Sequence, residues 1–222
     1  IIMNELYKRI ISSLILIPLT IFLTIEGDIF FYLFLTLCFF TCIYEWKKMV
    51  NKIEHKIFGF VFLIFSFFLV FMMRSYDPCC IDFDIGLRLF LTTLIICVSS
   101  DIGGYIFGKL LKGPTITSIS PNKTYSGMIG SYLLSLISVI MFNIFYIYKY
   151  EDFLKLCLFV IIISTINQVG DIIISYFKRL NNVKDTGKII PGHGGILDRI
   201  DGMIFAFPVA YLMILFNLFE IV

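Results

Sequence analysis

Charge is scarce in this chain. Asp, Glu, Lys and Arg make up 15% of its 222 residues, where soluble domains carry about 25%. Hydrophobic residues reach 59%, with a mean hydropathy of +0.95. A soluble fold of this length has no interior large enough to hide so much Ile, Leu and Phe, so an ordinary soluble domain is excluded. The six cysteines form no metal-type pair with two residues between them. Cys38, Cys42, Cys97 and Cys157 read as small apolar residues inside helices. Cys79 and Cys80 fall in an expected outer loop, and no function is assigned to any of the six. A phosphate-binding P-loop, a kinase signature and the zinc-protease HExxH pattern are all missing. So is the period-two alternation of a membrane barrel. There is no clear internal repeat, and no nucleic-acid partner is expected.

What the chain does have is long apolar runs. A spanning helix needs about 20 mostly apolar residues, and backbone groups in lipid must bond within their own segment, so helices follow. Seven runs qualify or come close: 10–25, 29–44, 57–73, 87–111, 127–148, 153–180 and 200–222. The expected fold is therefore all-α, a polytopic transmembrane bundle of about seven helices. No small-residue cleavage site follows Lys8 and Arg9, so the first run is expected to be kept, with a tight hairpin at Glu26-Gly27-Asp28 leading into the second. With the N-terminus placed in the cytoplasm, 14 of the 18 Lys and Arg residues fall in inner segments. Only Arg74, Arg88, Lys149 and Lys155 fall outside. This asymmetry is the positive-inside pattern, and it places the C-terminus outside. The chain reads as one integral-membrane domain, 1–222. Residues 1–86 form plain helical hairpins, and residues 87–222 carry the chemistry. In the first part, Tyr44-Glu45-Trp46-Lys47-Lys48 reads as an anchoring helix end at the inner interface, and His55 as a solvated loop residue.

Ionisable side chains inside spanning helices are costly and mark function by default. Asp101 and Asp171 are two such residues; the bland alternative is a helix-clamping ion pair with a lysine. Ser175 and Lys178 follow Asp171 at i+4 and i+7 on one helical face, and Arg179 adjoins them. A carboxylate, a hydroxyl and two cations thus climb toward the cytoplasm. The cations suit phosphate oxygens. The loop beyond holds Lys184, Asp185, Gly187, His193, Gly194 and Gly195, and its glycines let the backbone approach a ligand. Asp198 and Asp201 then sit three apart at the start of the last helix, with Arg199 between them. Helix capping explains one of these acids but leaves Arg199 and His193 without a role. An earlier loop, 118–127, offers hydroxyls with Lys123 and Thr124 beside Asp101, Tyr105 and Gly108. Carboxylates together with cations fit Mg²⁺, which takes one or two carboxylates plus substrate phosphates. The expected chemistry is metal-assisted phosphoryl or nucleotidyl transfer on a lipid.

At these residues the sequence resembles the phosphatidate cytidylyltransferase (CDP-diacylglycerol synthase) family. Its C-terminal signature is matched at every fixed position by Ser175, Phe177-Lys178-Arg179, Lys184-Asp185, Gly187, Ile190-Pro191, His193-Gly194-Gly195-Ile196 and Asp198-Arg199-Ile200-Asp201. Two further family motifs appear at Asp101 through Lys109 and at Ser120 through Gly127. The resemblance covers roughly 87–215. The chain is short for the family, Ser126 stands where an acidic or amide residue is common, and Ser118 where proline is common. The resemblance implies CTP and phosphatidate as substrates and CDP-diacylglycerol and pyrophosphate as products. It also implies Mg²⁺, with room for a second cation beside it, and a homodimer in the bacterial inner membrane with its active site facing the cytoplasm. Asp171 and Asp198 would hold the metal, and Lys178, Arg179 and Asp201 would share the catalytic site. Ser175, Lys184, Asp185, His193, Gly194, Gly195, Arg199, Asp101, Lys123 and Thr124 would bind substrate.

Three alternatives remain open from the residues themselves. One is a related CTP-using lipid enzyme acting on an isoprenoid lipid or a polyprenol. Another is a transporter with ion sites at Asp101 and Asp171, and the third is a structural membrane subunit.

Overall fold

A computed structural model describes residues 18–76, 85–117, 119–121, 123–146, 153–190, 194–216 and 218. Among them there is no β-strand, only isolated bridges pairing Thr115 with Thr124 and Ile190 with Gly194. Helix α1 covers 18–26. It is followed by α2 (Asp28–Met49), α3 (Ile53–Arg74), α4 (Ile85–Leu111), α5 (Tyr125–Tyr146), α6 (Phe153–Leu180), α7 (Leu197–Ile200) and α8 (Met203–Leu215). Five of these helices are long and apolar enough to cross a membrane: α2 to α6. At 1.5 Å per residue, α6 is about 42 Å long, more than the ~30 Å hydrocarbon core, so its ends reach polar surroundings at Lys178 and Arg179. The protein is a multi-pass helical membrane protein.

Among the described residues, five of the seven expected spans appear as helices of crossing length. The first, 10–25, is described only from residue 18, and Lys8 and Arg9 lie outside the described residues. The last, 200–222, appears as a 13-residue helix, about 20 Å long and short of a full crossing; residues 217 and 219–222 are outside the description. The expected hairpin at 26–28 is one non-helical residue, Gly27, whose φ of 68° is where glycine is favoured. Cys79, Cys80 and Lys149 also lie outside.

The described chain clusters into two compact units. One contains Ile1–Phe71 and Phe177–Asp201, the other Met72–Tyr176 and Gly202–Val222.

In the first unit, α2 and α3 are apolar on nearly every side. Leu37 (67%), Phe40 (63%) and Phe68 (52%) are exposed, as expected of faces solvated by lipid rather than water. Aromatic pairs join the two helices, with ring centroids 5.4 Å apart for Phe39 and Phe67 and 4.8 Å for Tyr32 and Phe71. Tyr44, Lys47 and Lys48 are exposed, as a helix-end anchor needs, but Glu45 and Trp46 are not. Both are buried. The Trp46 indole donates to the His55 carbonyl at 3.1 Å and meets the Phe177 ring edge-on at 5.1 Å. His55 is not a solvated loop residue either. It lies in the first turn of α3, with its ring 5.4 Å from Phe177. The sequence pattern of aromatic beside lysine matched an anchor, whereas packing against Phe177 drew the tryptophan inward.

The second unit is built on a close crossing of α4 and α5. Lipid tails offer no hydrophobic drive between helices, so small residues and hydrogen bonds hold them together. A Cβ on Gly103 would overlap the Gly130 carbonyl, and one on Gly104 would come within 2.9 Å of the Ser131 hydroxyl. Ser131 donates to the Ser100 carbonyl at 2.7 Å, and Ser135 to the Ile96 carbonyl at 3.1 Å. On another face of α4, the Ser100 and Ser164 hydroxyls pair at 2.9 Å, which ties in α6. Phe90 and Phe207, 4.8 Å apart, join α4 to α8. Because Gly103 meets backbone rather than a movable side chain, Gly103→Val is expected to destabilise by about 2–3 kcal/mol or more. The readout is the melting midpoint in detergent; an unchanged midpoint would contradict this packing.

Candidate active site

The candidate residues form two clusters, one in each unit.

In the second unit, a cleft of about 200 Å³ opens between α4, the 112–124 loop and α6. Asp101, Tyr105, Lys123, Thr124, Gln168 and Asp171 line it together with small and apolar residues. The loop is placed by its own backbone. Lys112 (φ 54°) and Gly113 (φ 116°) turn the chain out of α4, and Ile116 N–H donates to the Lys123 carbonyl at 2.8 Å. Thr124 caps α5: its hydroxyl oxygen accepts from Gly127 N–H at 3.1 Å, the usual work of a threonine at that position. The Ser126 hydroxyl donates to the Lys112 carbonyl. So fixed, Lys123 extends its ammonium to the Asp171 carboxylate at 2.6 Å and donates to the Gln168 carbonyl at 3.0 Å. Ser175 donates to the other Asp171 oxygen at 3.2 Å, as the i, i+4 spacing required. Asp101 accepts from the buried Asn167 amide at 2.8 Å.

In the first unit the focus is Asp198. Its Oδ1 accepts from the Lys178 ammonium at 3.1 Å. Its Oδ2 accepts from Thr186 N–H at 2.8 Å and Gly195 N–H at 2.9 Å. Lys178 also lies 3.6 Å from Asp201, so the two acids three apart do share a face and a cation. Asp198 is 5% exposed and Lys178 12%. The loop closes through Ile190 N–H to the Gly194 carbonyl at 2.9 Å. At Gly194, φ is 89° and a Cβ would come within 2.8 Å of Asp198. Arg179, Lys184, Asp185 and Arg199 are exposed at the rim. Gly195 is buried, with its N–H spent on Asp198. His193 lies outside the described residues.

Three residues absent from the sequence-based set belong to these clusters. Glu45 is fully buried and bonds the same loop as Asp198. Thr186 serves both acids, and Asn167 holds Asp101. Two of them had a faint signal. Glu45 is the single acid in a basic helix end, and Asn167 is an amide inside an apolar run.

Carboxylate oxygens are the ligands Mg²⁺ prefers. Asp171 and Asp198 each already face an ammonium, at Lys123 and Lys178. These are positions built to hold positive charge, and the donor chemistry fits a divalent cation. Among the described residues, no three His, Cys, Asp or Glu side chains gather as a ready-made metal cage.

The model of the cytidylyltransferase family matches residues 78–217. A phosphatidate cytidylyltransferase of Rickettsia typhi is 34% identical over 218 residues, 94% of this chain and 91% of the relative. That of Rickettsia conorii is 33% identical over 219 residues, 95% of this chain and 91% of the relative. That of Staphylococcus haemolyticus is 42% identical over 131 residues, 59% of this chain and half of the relative. Such similarity along nearly the whole chain, at 33–34% identity, is more than a shared motif, and this chain belongs to the cytidylyltransferase family.

Proposed function

We propose that the protein transfers the cytidylyl group of CTP to phosphatidate, giving CDP-diacylglycerol and pyrophosphate. The observation that carries this reading is the 175–201 segment, where the family signature coincides with the Lys178–Asp198–Asp201 cluster. Likeness to proteins named for that activity, over 94–95% of this chain, supports it.

In the reaction, a phosphatidate phosphate oxygen forms a bond to the α-phosphorus of CTP. The bond from that phosphorus to the oxygen bridging to the β-phosphate breaks, and its electron pair leaves with pyrophosphate. The nucleophile is already an anion, so no strong base is needed, and His193 has a binding role. Asp171 and Asp198 are the proposed ligands of Mg²⁺, which when bound neutralises charge on the phosphates. Arg179, Lys184 and Arg199, exposed at the loop rim, supply charge-assisted bonds to phosphate oxygens. Tyr105 and Lys123 line the cleft on the α4 side. Acyl chains stay in the bilayer while the head group reaches the protein. The Lys and Arg asymmetry of the sequence supports a cytoplasmic active site and N-terminus in the bacterial inner membrane, and a homodimer is the proposed assembly.

The test uses purified protein in detergent with CTP and Mg²⁺, scored for pyrophosphate and CDP-lipid with each of several lipid acceptors. Equal amounts of CDP-diacylglycerol and pyrophosphate, formed with phosphatidate, are expected. Turnover with an isoprenoid phosphate or a polyprenol alone would replace this reading. So would ion flux in liposomes without CTP consumption.

A further inference from the structure

The loop that carries Asp198 is held by a second buried carboxylate, from far away in sequence. Glu45, near the end of α2, is 0% exposed. Its Oε1 accepts from Ile196 N–H at 3.0 Å, and its Oε2 from Leu197 N–H at 2.9 Å and the Thr186 hydroxyl at 3.1 Å. These bonds interleave with those of Asp198. Thr186 gives its hydroxyl to Glu45 and its N–H to Asp198. Gly195 gives its N–H to Asp198, and the next two amides go to Glu45. Glycine is required on both sides of the contact, because a Cβ on either Gly187 or Gly195 would overlap the Glu45 carboxylate. A buried carboxylate is costly unless its hydrogen bonds are satisfied, and removing it would leave two buried amides and a hydroxyl without acceptors.

We infer that Glu45 is a positioning residue for the reaction: through Thr186, Ile196 and Leu197 it fixes the loop that holds the Asp198 carboxylate in place. Its link to catalysis rests on the cytidylyltransfer reading above; its link to the loop does not. Anchoring at a helix end, suggested by its neighbours Tyr44, Lys47 and Lys48, does not account for a carboxylate with no exposed surface. Partners that orient a ligating group typically matter by about 10- to 100-fold in activity. Glu45→Gln keeps the shape and one acceptor oxygen, but turns an NH₂ group toward hydrogen-bond donors. Glu45→Ala removes every acceptor.

The experiment measures two quantities in detergent-purified full-length protein. Amide hydrogen exchange over 185–198, without substrate, is expected to quicken about tenfold or more in Glu45→Gln, with exchange in α4 and α5 unchanged. In the same sample, kcat with CTP and phosphatidate is expected to fall about 10- to 100-fold, more in Glu45→Ala than in Glu45→Gln. A merely structural role would lower the folded fraction and loosen the helices as well, and the surviving enzyme would keep its kcat. Unchanged exchange over 185–198, or full kcat in a loosened loop, overturns the inference. Absence of turnover in the unsubstituted protein would overturn the reaction reading instead, while the exchange result still judged the loop.

Discussion

Asp198→Asn is expected to lower turnover by about 100- to 1000-fold or more while the protein stays folded in the membrane. The reason is the crowding around this side chain. One oxygen faces an ammonium, and the other faces two amides. An asparagine must turn its NH₂ group toward donors on one side or the other, and it brings no charge. Among the described residues, Lys178 would keep Asp201, at 3.6 Å, as its nearby acid. Losing a hydrogen bond to a charged group costs about 1.5–3 kcal/mol. That is enough to misplace a loop and too little to undo helices buried in lipid. Membrane yield and melting in detergent should therefore stay close to those of the unsubstituted protein while CDP-lipid formation collapses. Normal activity of the variant in a membrane assay would falsify a role for Asp198 in the reaction. Asp201→Asn should lose less, because its contact with Lys178 is longer.

The sequence was most legible where one physical rule acted alone. Runs of Ile, Leu and Phe placed α2 to α6 within a few residues, because lipid leaves the backbone no alternative to a helix. The i, i+3 and i, i+4 spacings put Asp198 and Asp201 on one face and Asp171 beside Ser175, since helical geometry fixes those neighbours, whereas Lys178, read in a row with Asp171, turns to Asp198 and Asp201 instead. Long-range partners were less legible. Glu45 lies about 150 residues from Ile196, and nothing in its local pattern names a partner. Its neighbours Tyr44, Lys47 and Lys48 carried the stronger, interfacial signal and drew the reading outward. Asn167 was passed over because an amide in an apolar helix has no charge to advertise it, yet it holds Asp101. Amides of the glycine-rich loop looked suited to a ligand phosphate. Three in a row, from Gly195 to Leu197, bond the protein's own carboxylates instead. A loop rich in glycine makes close approach possible without saying to what.

Asp171 and Lys123 should behave as one unit. Their 2.6 Å contact is partly open to the cleft, with 32% of the Asp171 side chain and 21% of the Lys123 side chain exposed. The lysine is further fixed by the Gln168 carbonyl, and the acid by Ser175. Asp171→Asn is expected to cut kcat/KM by about 100- to 1000-fold, since it removes the fixed negative charge of the site. Lys123→Met removes the ammonium, and its loss should be smaller, about 10- to 100-fold, because Asp171 survives. Neighbours that share one interaction are not additive, with coupling of about 0.5–3 kcal/mol. The double variant should therefore be hardly worse than Asp171→Asn alone: once the acid is gone, the lysine has no carboxylate left to hold. Measured in the same detergent preparation with CTP and phosphatidate, losses that simply multiplied would mean that the two residues act separately. The ion pair itself would then be incidental to the reaction.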